Sequence, residues 1–335
     1  MEILRKTSKV KIFDIMKFVS LSPNGSSWQR ALLYTIDTES AEPEDLVVEI
    51  IDTESGSVIA TKRLYGVTSA QIDVAPYLRS LCDMRINTST LCSVVRSYTS
   101  YRIALRVGDL RSEVRLFGLE SLNPTLFTLL SNIGDESQVE YGDTAILSLY
   151  TPTPLKVVVH AYTESGRRQF QTSWGVAEHS VDVVIPTAIM SLSVVYFTVD
   201  LYCGQTLAKT LRYNVVPADE RTRRLCWRNE RGGVESYTFP HSLRLASGAV
   251  VDRFDLNSGA LSLLRSASTE YRLSSAVEPH EELERIAGII RSPYVYEIAA
   301  GKIKELHVND RTLEYGDHGR LSQVVIGIRE EVLYG

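Results

Sequence analysis

Polar and apolar positions in this chain alternate far more often than they recur every three or four residues, which is the pattern of half-buried strands. Residues 46–51 and 58–64 are two such runs, and the turn cluster Asp52-Thr53-Glu54-Ser55-Gly56 between them predicts a hairpin. Residues 103–107 and 113–117 predict a second hairpin around Gly108-Asp109. Asp73, followed by residues 74–82 with Pro76 in the first turn, predicts a short capped helix. The Ser-, Pro- and Gly-rich residues 20–27 predict a loop. From residue 119 to 217 the alternation is nearly continuous, with runs at 145–150, 155–162, 168–174, 179–185, 192–201 and 207–216. Short strands at this spacing predict an immunoglobulin-like β-sandwich.

The stretch 225–239 reads as strand, tight turn, strand. Leu225 and Trp227 share one face of the first strand, and Tyr237 and Phe239 share one face of the second, so both pairs can enter one core. Gly232-Gly233 is expected to supply positive φ in a solvent-exposed turn, and Asn229 to bond back to local backbone. Residues 217–224 read as a linker or the solvated lip of a strand, their three arginines as a solvated face. One helix is predicted at about 279–291: Pro279 stands at its start, Glu281 and Glu282 in its first turn, and Leu283, Ile286, Ala287 and Ile290 on one apolar face. Residues 321–328 alternate as a closing strand. The expected fold class is therefore mainly β, as tandem β-sandwich-like domains at 1–118, 119–217 and 218–335, the middle one immunoglobulin-like and the last carrying a single packed helix.

A length of 335 residues suits two or three domains, each able to bury a core. The formal net charge of -5 argues against a nucleic-acid partner, because phosphate binding requires a basic face. The excess of Tyr, 17 against 8 Phe, fits strand propensity first and a protein-contact surface second. Residues 1–11 alternate charged and apolar side chains and lack the apolar core of a secretory signal, and no apolar run is long enough to span a bilayer. Cys82, Cys92, Cys203 and Cys226 form no Cys-x-x-Cys pair, so free and mostly buried thiols are expected.

No reactive constellation stands out. His160 and His179 lie inside predicted strands, and the run after His280 lacks the second histidine of a zinc-protease motif. His307 and His318, with Asp310 and Asp317, are the one set that could gather at a hairpin around a metal. There is no Gly-x-Ser-x-Gly elbow and no phosphate-binding glycine loop. No catalytic residue, metal ligand or cofactor is expected.

The pattern Trp-x-Asn-x-x-Gly-x-x-x-x-Tyr-x-Phe, here Trp227, Asn229, Gly232, Tyr237 and Phe239, resembles one in tail-associated structural proteins of bacteriophages and prophages. Gly233 and the apolar Val234 follow the glycine, and a helix, the stop Ser292-Pro293 and two short strands over 294–308 come in the same order. The resemblance covers about the last third of the chain; its Arg/Glu-rich turn, Arg228 to Arg231, is more charged than the pattern. It implies a non-catalytic tail or baseplate component that meets other tail proteins or copies of itself, cytoplasmic during assembly and then part of a virion or tail-like particle. In isolation it implies a monomer or weak oligomer. The residues alone leave a second reading, a carbohydrate- or surface-binding adhesin of β-sandwich modules, and a third, a glycan-active enzyme.

Overall fold

Side-chain alternation obliges most of this chain to pair as strands, and a computed structural model shows how the pairs are partitioned. It describes residues 16–217, 219–256, 259–299, 302–309, 314–318 and 321–333. The chain is mainly β and forms two compact units. One comprises the residues up to Leu81 together with Tyr101–Leu122; the other comprises Cys82–Ser100 and the chain from Asn123 onward. The sequence divisions fall differently. Residues 82–100 join the second unit, which holds both the middle sandwich and the C-terminal β region.

In the first unit, Lys17–Ser20, Leu33–Asp37 and Ser69–Asp73 form one antiparallel sheet. The predicted hairpin appears as Glu44–Asp52 with Val58–Val67, and Ser100–Val107 pairs beside it. The helix is shorter than predicted, Ala75–Arg79, with no side-chain cap. Asp73 instead accepts from the backbone of Leu32 at 2.8 Å and Ala75 at 3.0 Å, tying the loop to the helix start.

In the second unit, six strands follow the predicted run: Thr144–Thr151, Leu155–Thr163, Gly166–Trp174, His179–Pro186, Val194–Cys203 and Thr206–Val216. The first and fourth share one sheet and the other four share a second, the partition of an immunoglobulin-like sandwich. Their inward positions meet in one core, including Leu147, Val159, Val183, Phe197 and Tyr213. Ser93–Arg96 pairs antiparallel with His179–Pro186 and so completes the smaller sheet at its edge. Four paired residues at that edge explain why 82–100 leaves the first unit.

The third set of strands forms a sheet in the order Val234–Phe239, Arg223–Arg228, Val295–Ala299, Lys302–Val308, Leu321–Leu333, Gly259–Ser274, His241–Leu256. The helix His280–Ala287 continues as a 3₁₀ turn, Gly288–Ile290, and the tighter turn buries Ile289 fully while the predicted Ile290 packs half-buried against the same core. A cluster of Ile146, Val184, Cys226, Val234, Tyr296 and Ile298 joins sandwich and sheet, so this sheet has no core boundary at 217/218.

The pair His241–Leu256 and Gly259–Ser274 is a 16-residue ribbon that sequence reading missed. Both faces of its first strand are largely exposed, so no burial imposes an alternation to read.

Candidate functional site

The hairpin Arg223–Arg228 to Val234–Phe239 pairs Trp227 with Glu235 and Leu225 with Tyr237. Leu225, Trp227, Tyr237 and Phe239 point into one core beneath the helix, as expected, and Trp227 and Phe239 are wholly buried. Asn229 also acts as expected: its Oδ1 accepts from the backbone of Arg231 at 2.9 Å and Gly233 at 2.8 Å. The turn departs from expectation. Gly232 has φ +81°, but both glycines are buried. A Cβ on Gly233 would lie 2.3 Å from the carbonyl carbon and oxygen of Leu130. The glycine is needed for close approach to the sandwich, and not for left-handed backbone.

The strand's other face carries Arg228, which is buried and bound edge-on to Asp182 of the sandwich at 3.1 and 2.7 Å. Its Nη1 also donates to Ser97 Oγ at 3.1 Å and Gly232 O at 2.9 Å, and its Nη2 to Arg85 O at 3.1 Å. Asp182 also accepts from Ser148 Oγ at 2.5 Å and Asn87 Nδ2 at 2.7 Å. Ser148 and Ser131 then satisfy the N–H and C=O of Val234. Apart from Arg228 Nε, which is buried without a hydrogen-bond partner among the described residues, the polar groups named here bond to other protein groups, which describes a structural lock.

Of the three arginines in 217–224, Arg221 is exposed as expected, while Arg223 and Arg224 depart from a solvated face. Arg224 is 2% exposed and donates to Gln138 O, Thr238 Oγ1 and Ser236 Oγ. Arg223 bridges Glu297 and Glu330, each at 2.7 Å, and lies 4.2 Å from the centre of the Tyr271 ring. Burial alone would raise Glu330, but hydrogen bonds from Lys304 and Arg223 reverse it and hold its carboxyl below the ordinary value.

A cleft of about 450 Å³ opens where Glu136–Glu140, the last strand of the larger sandwich sheet, faces Val234–Phe239, the last strand of the C-terminal sheet. Ile133, Val216, Pro240 and Pro279 give it apolar wall, and Glu136, Glu278 and Glu282 give it carboxylates. Glu282 is held by Arg285, whose Nη1 also meets the buried Glu235 at 3.2 Å. Burial would depress Arg285, and these two carboxylates more than reverse it. Glu278 accepts from the Tyr237 hydroxyl at 2.8 Å. Among the described residues no cation lies within ion-pair distance of Glu278.

Two surfaces stand out. Along the ribbon Leu243, Leu245, Val250 and Val251 are 61%, 56%, 54% and 47% exposed. On the outer face of the larger sandwich sheet, Tyr162 and Tyr196 stack 4.5 Å apart, flanked by the guanidinium groups of Arg167 and Arg212.

The histidines do not converge. His160 meets Asp200 at 3.2 Å and Arg167, while His179 bonds Ala177 O. His307 lines a shallow surface hollow with Glu270, Arg329 and Glu331. Asp310 and the side chains of Asp317 and His318 lie outside the described residues. Among the described residues no group of three His, Cys, Asp or Glu could hold a metal ion. All four cysteines are free thiols, and burial pushes Cys226 up to about 12. No described helix is long and apolar enough to cross a membrane.

No family model matches this chain, and no curated protein matches it. Solved structures give distant likenesses. DIP-gamma IG1+IG2 is 11% identical, covering 62% of this chain and 100% of its own, with a TM-score of 0.17. A complex of Dpr2 Ig1-Ig2 with DIP-Theta Ig1-Ig3 is 10% identical over 60% of this chain and 99% of its own, with a TM-score of 0.18. The plexin A4 extracellular region is 8% identical over 94% of this chain and 36% of its own, with a TM-score of 0.19. Scores this low carry no argument; the immunoglobulin-like assignment rests on the strand partition above.

Proposed function

We propose that this chain is a non-catalytic assembly protein, a tail or baseplate component of a phage or prophage, working through protein–protein contacts. The observation that carries the assembly part is the ribbon. An end strand of 16 residues with exposed Leu243, Leu245, Val250 and Val251 is an aggregation liability unless a partner covers it. The placement in a tail is supported by the Trp227 to Phe239 pattern and the helix and strand pair that follow it. The buried ionic lock supports a scaffold role, since its groups are consumed in holding sandwich and sheet in register.

The test is recovery of the chain in particles. Particles purified from producing cells by density gradient should contain it at fixed stoichiometry, and Leu245→Lys with Val250→Lys should remove it without unfolding it. Its absence from particles would overturn the reading. The stacked Tyr162–Tyr196 pair between two arginines supports the adhesin alternative, because planar rings on an outer sheet face suit sugar or surface contacts. Binding to a glycan array lost on Tyr162→Ala and Tyr196→Ala, with no particle association, would favour it.

A further inference from the structure

The cleft beside Tyr237 has two properties that together specify an occupant. Its two bordering strands are the ends of their sheets and have no ladder partner on that side, although Arg224 already donates to Gln138 O and Arg285 to Ser236 O there. Its lining combines apolar wall with carboxylates; Glu278 is half-buried, and among the described residues the Tyr237 hydroxyl is its one side-chain partner. An extended segment with basic side chains on one face and apolar ones on the other fits both properties.

This chain contains such a segment. In Lys9-Val10-Lys11-Ile12-Phe13 the lysines share one face of a strand and Val10 and Ile12 the other, and Arg5 and Lys6 precede them. Residues 1–15 lie outside the described residues; a fully extended chain of that length spans about 50 Å. We propose that the cleft takes residues 5–13 of a second copy of this chain, with Lys9 and Lys11 against Glu278 and Glu136, and Val10 and Ile12 against Ile133, Val216 and Pro240. Such a contact is head-to-tail: donor and acceptor surfaces differ, so it propagates from copy to copy as a ring or filament requires. The idea deepens the assembly reading by naming a surface of self-association, and rests on it to that extent.

The experiment uses the purified full-length chain. Sedimentation across a concentration series should show weak self-association that falls as salt rises. Glu278→Lys alone, and Lys9→Glu with Lys11→Glu, should each weaken association about tenfold, and combining all three in one chain should restore it. A labelled peptide of residues 1–15 should bind the full-length chain and lose affinity on Glu278→Lys. Absence of peptide binding, binding indifferent to Glu278→Lys, failure of the charge swap to restore association, or a chain that stays monomeric while the peptide binds would each overturn the proposal. If the Glu278→Lys chain still enters particles, the assembly reading stands while this surface falls.

Discussion

Arg228 and Asp182, 46 residues apart, form a two-pronged ion pair with side chains 1% and 0% exposed, and it fastens the C-terminal hairpin to the sandwich. Removing one partner strands the other charge in a dry site. Arg228→Ala and Asp182→Ala should each destabilise by about 3–5 kcal/mol, while Arg228→Met with Asp182→Leu should lose much less than the sum. Urea denaturation of the four proteins decides; single losses below about 1 kcal/mol would refute the lock.

Gly233 and Gly204 separate crowding from strain. Gly204 has φ +60° with open space around its missing Cβ, so Gly204→Ala should cost about 1–2 kcal/mol from backbone strain. Gly233 faces backbone atoms of Leu130 at 2.3 Å that cannot swing aside, so Gly233→Ala should cost more and also loosen the hairpin from the sandwich. Hydrogen exchange at Val234 would report that loosening.

Trp227→Ala should cost about 3–5 kcal/mol as a fully buried aromatic removed. Its indole N–H has no hydrogen-bond partner among the described residues, so Trp227→Phe removes volume without stranding an acceptor and should cost clearly less. Equal melting temperatures for wild type and Trp227→Ala would remove Trp227 as the anchor of this region.

Glu330 gives a pH dependence. Its folded pKa lies below the ordinary value of 4.5, so the folded state binds this proton more weakly than the unfolded chain. The stability from its contacts with Arg223 and Lys304 is therefore present above about pH 4.5 and lost as pH falls through the folded value. Acid titration of stability should be shallower in that window for Glu330→Gln, which lacks the titrating group. An unchanged acid limb would contradict the pairing.

Cys226 should resist thiol reagents in the native state, because it is wholly buried and burial raises its pKa to about 12. Labelling at pH 8 should require unfolding, and mass spectrometry of pulse-labelled protein would show whether it does.

Strand positions were legible because a half-buried strand records its burial in a period of two. The sandwich runs are found within a few residues of expectation, and Leu225, Trp227, Tyr237 and Phe239 lie in one core as their parity requires. Asn229 was legible for a similar reason: its turn contacts are local, within four residues. What depends on contacts across the chain left no periodic trace. Nothing in the run Ser93–Arg96 says that it pairs with His179–Pro186, and nothing in Arg228 names Asp182, because long-range partners are chosen by topology. The buried Gly232-Gly233 turn was unreadable too, since glycine looks the same whether it serves φ or close approach. The ribbon escaped notice because exposure on both faces removes the alternation that burial writes into a strand. Local alternation thus determined the half-buried strands, and tertiary structure alone decided which strands meet, since a pairing gains its stability from groups distant in sequence.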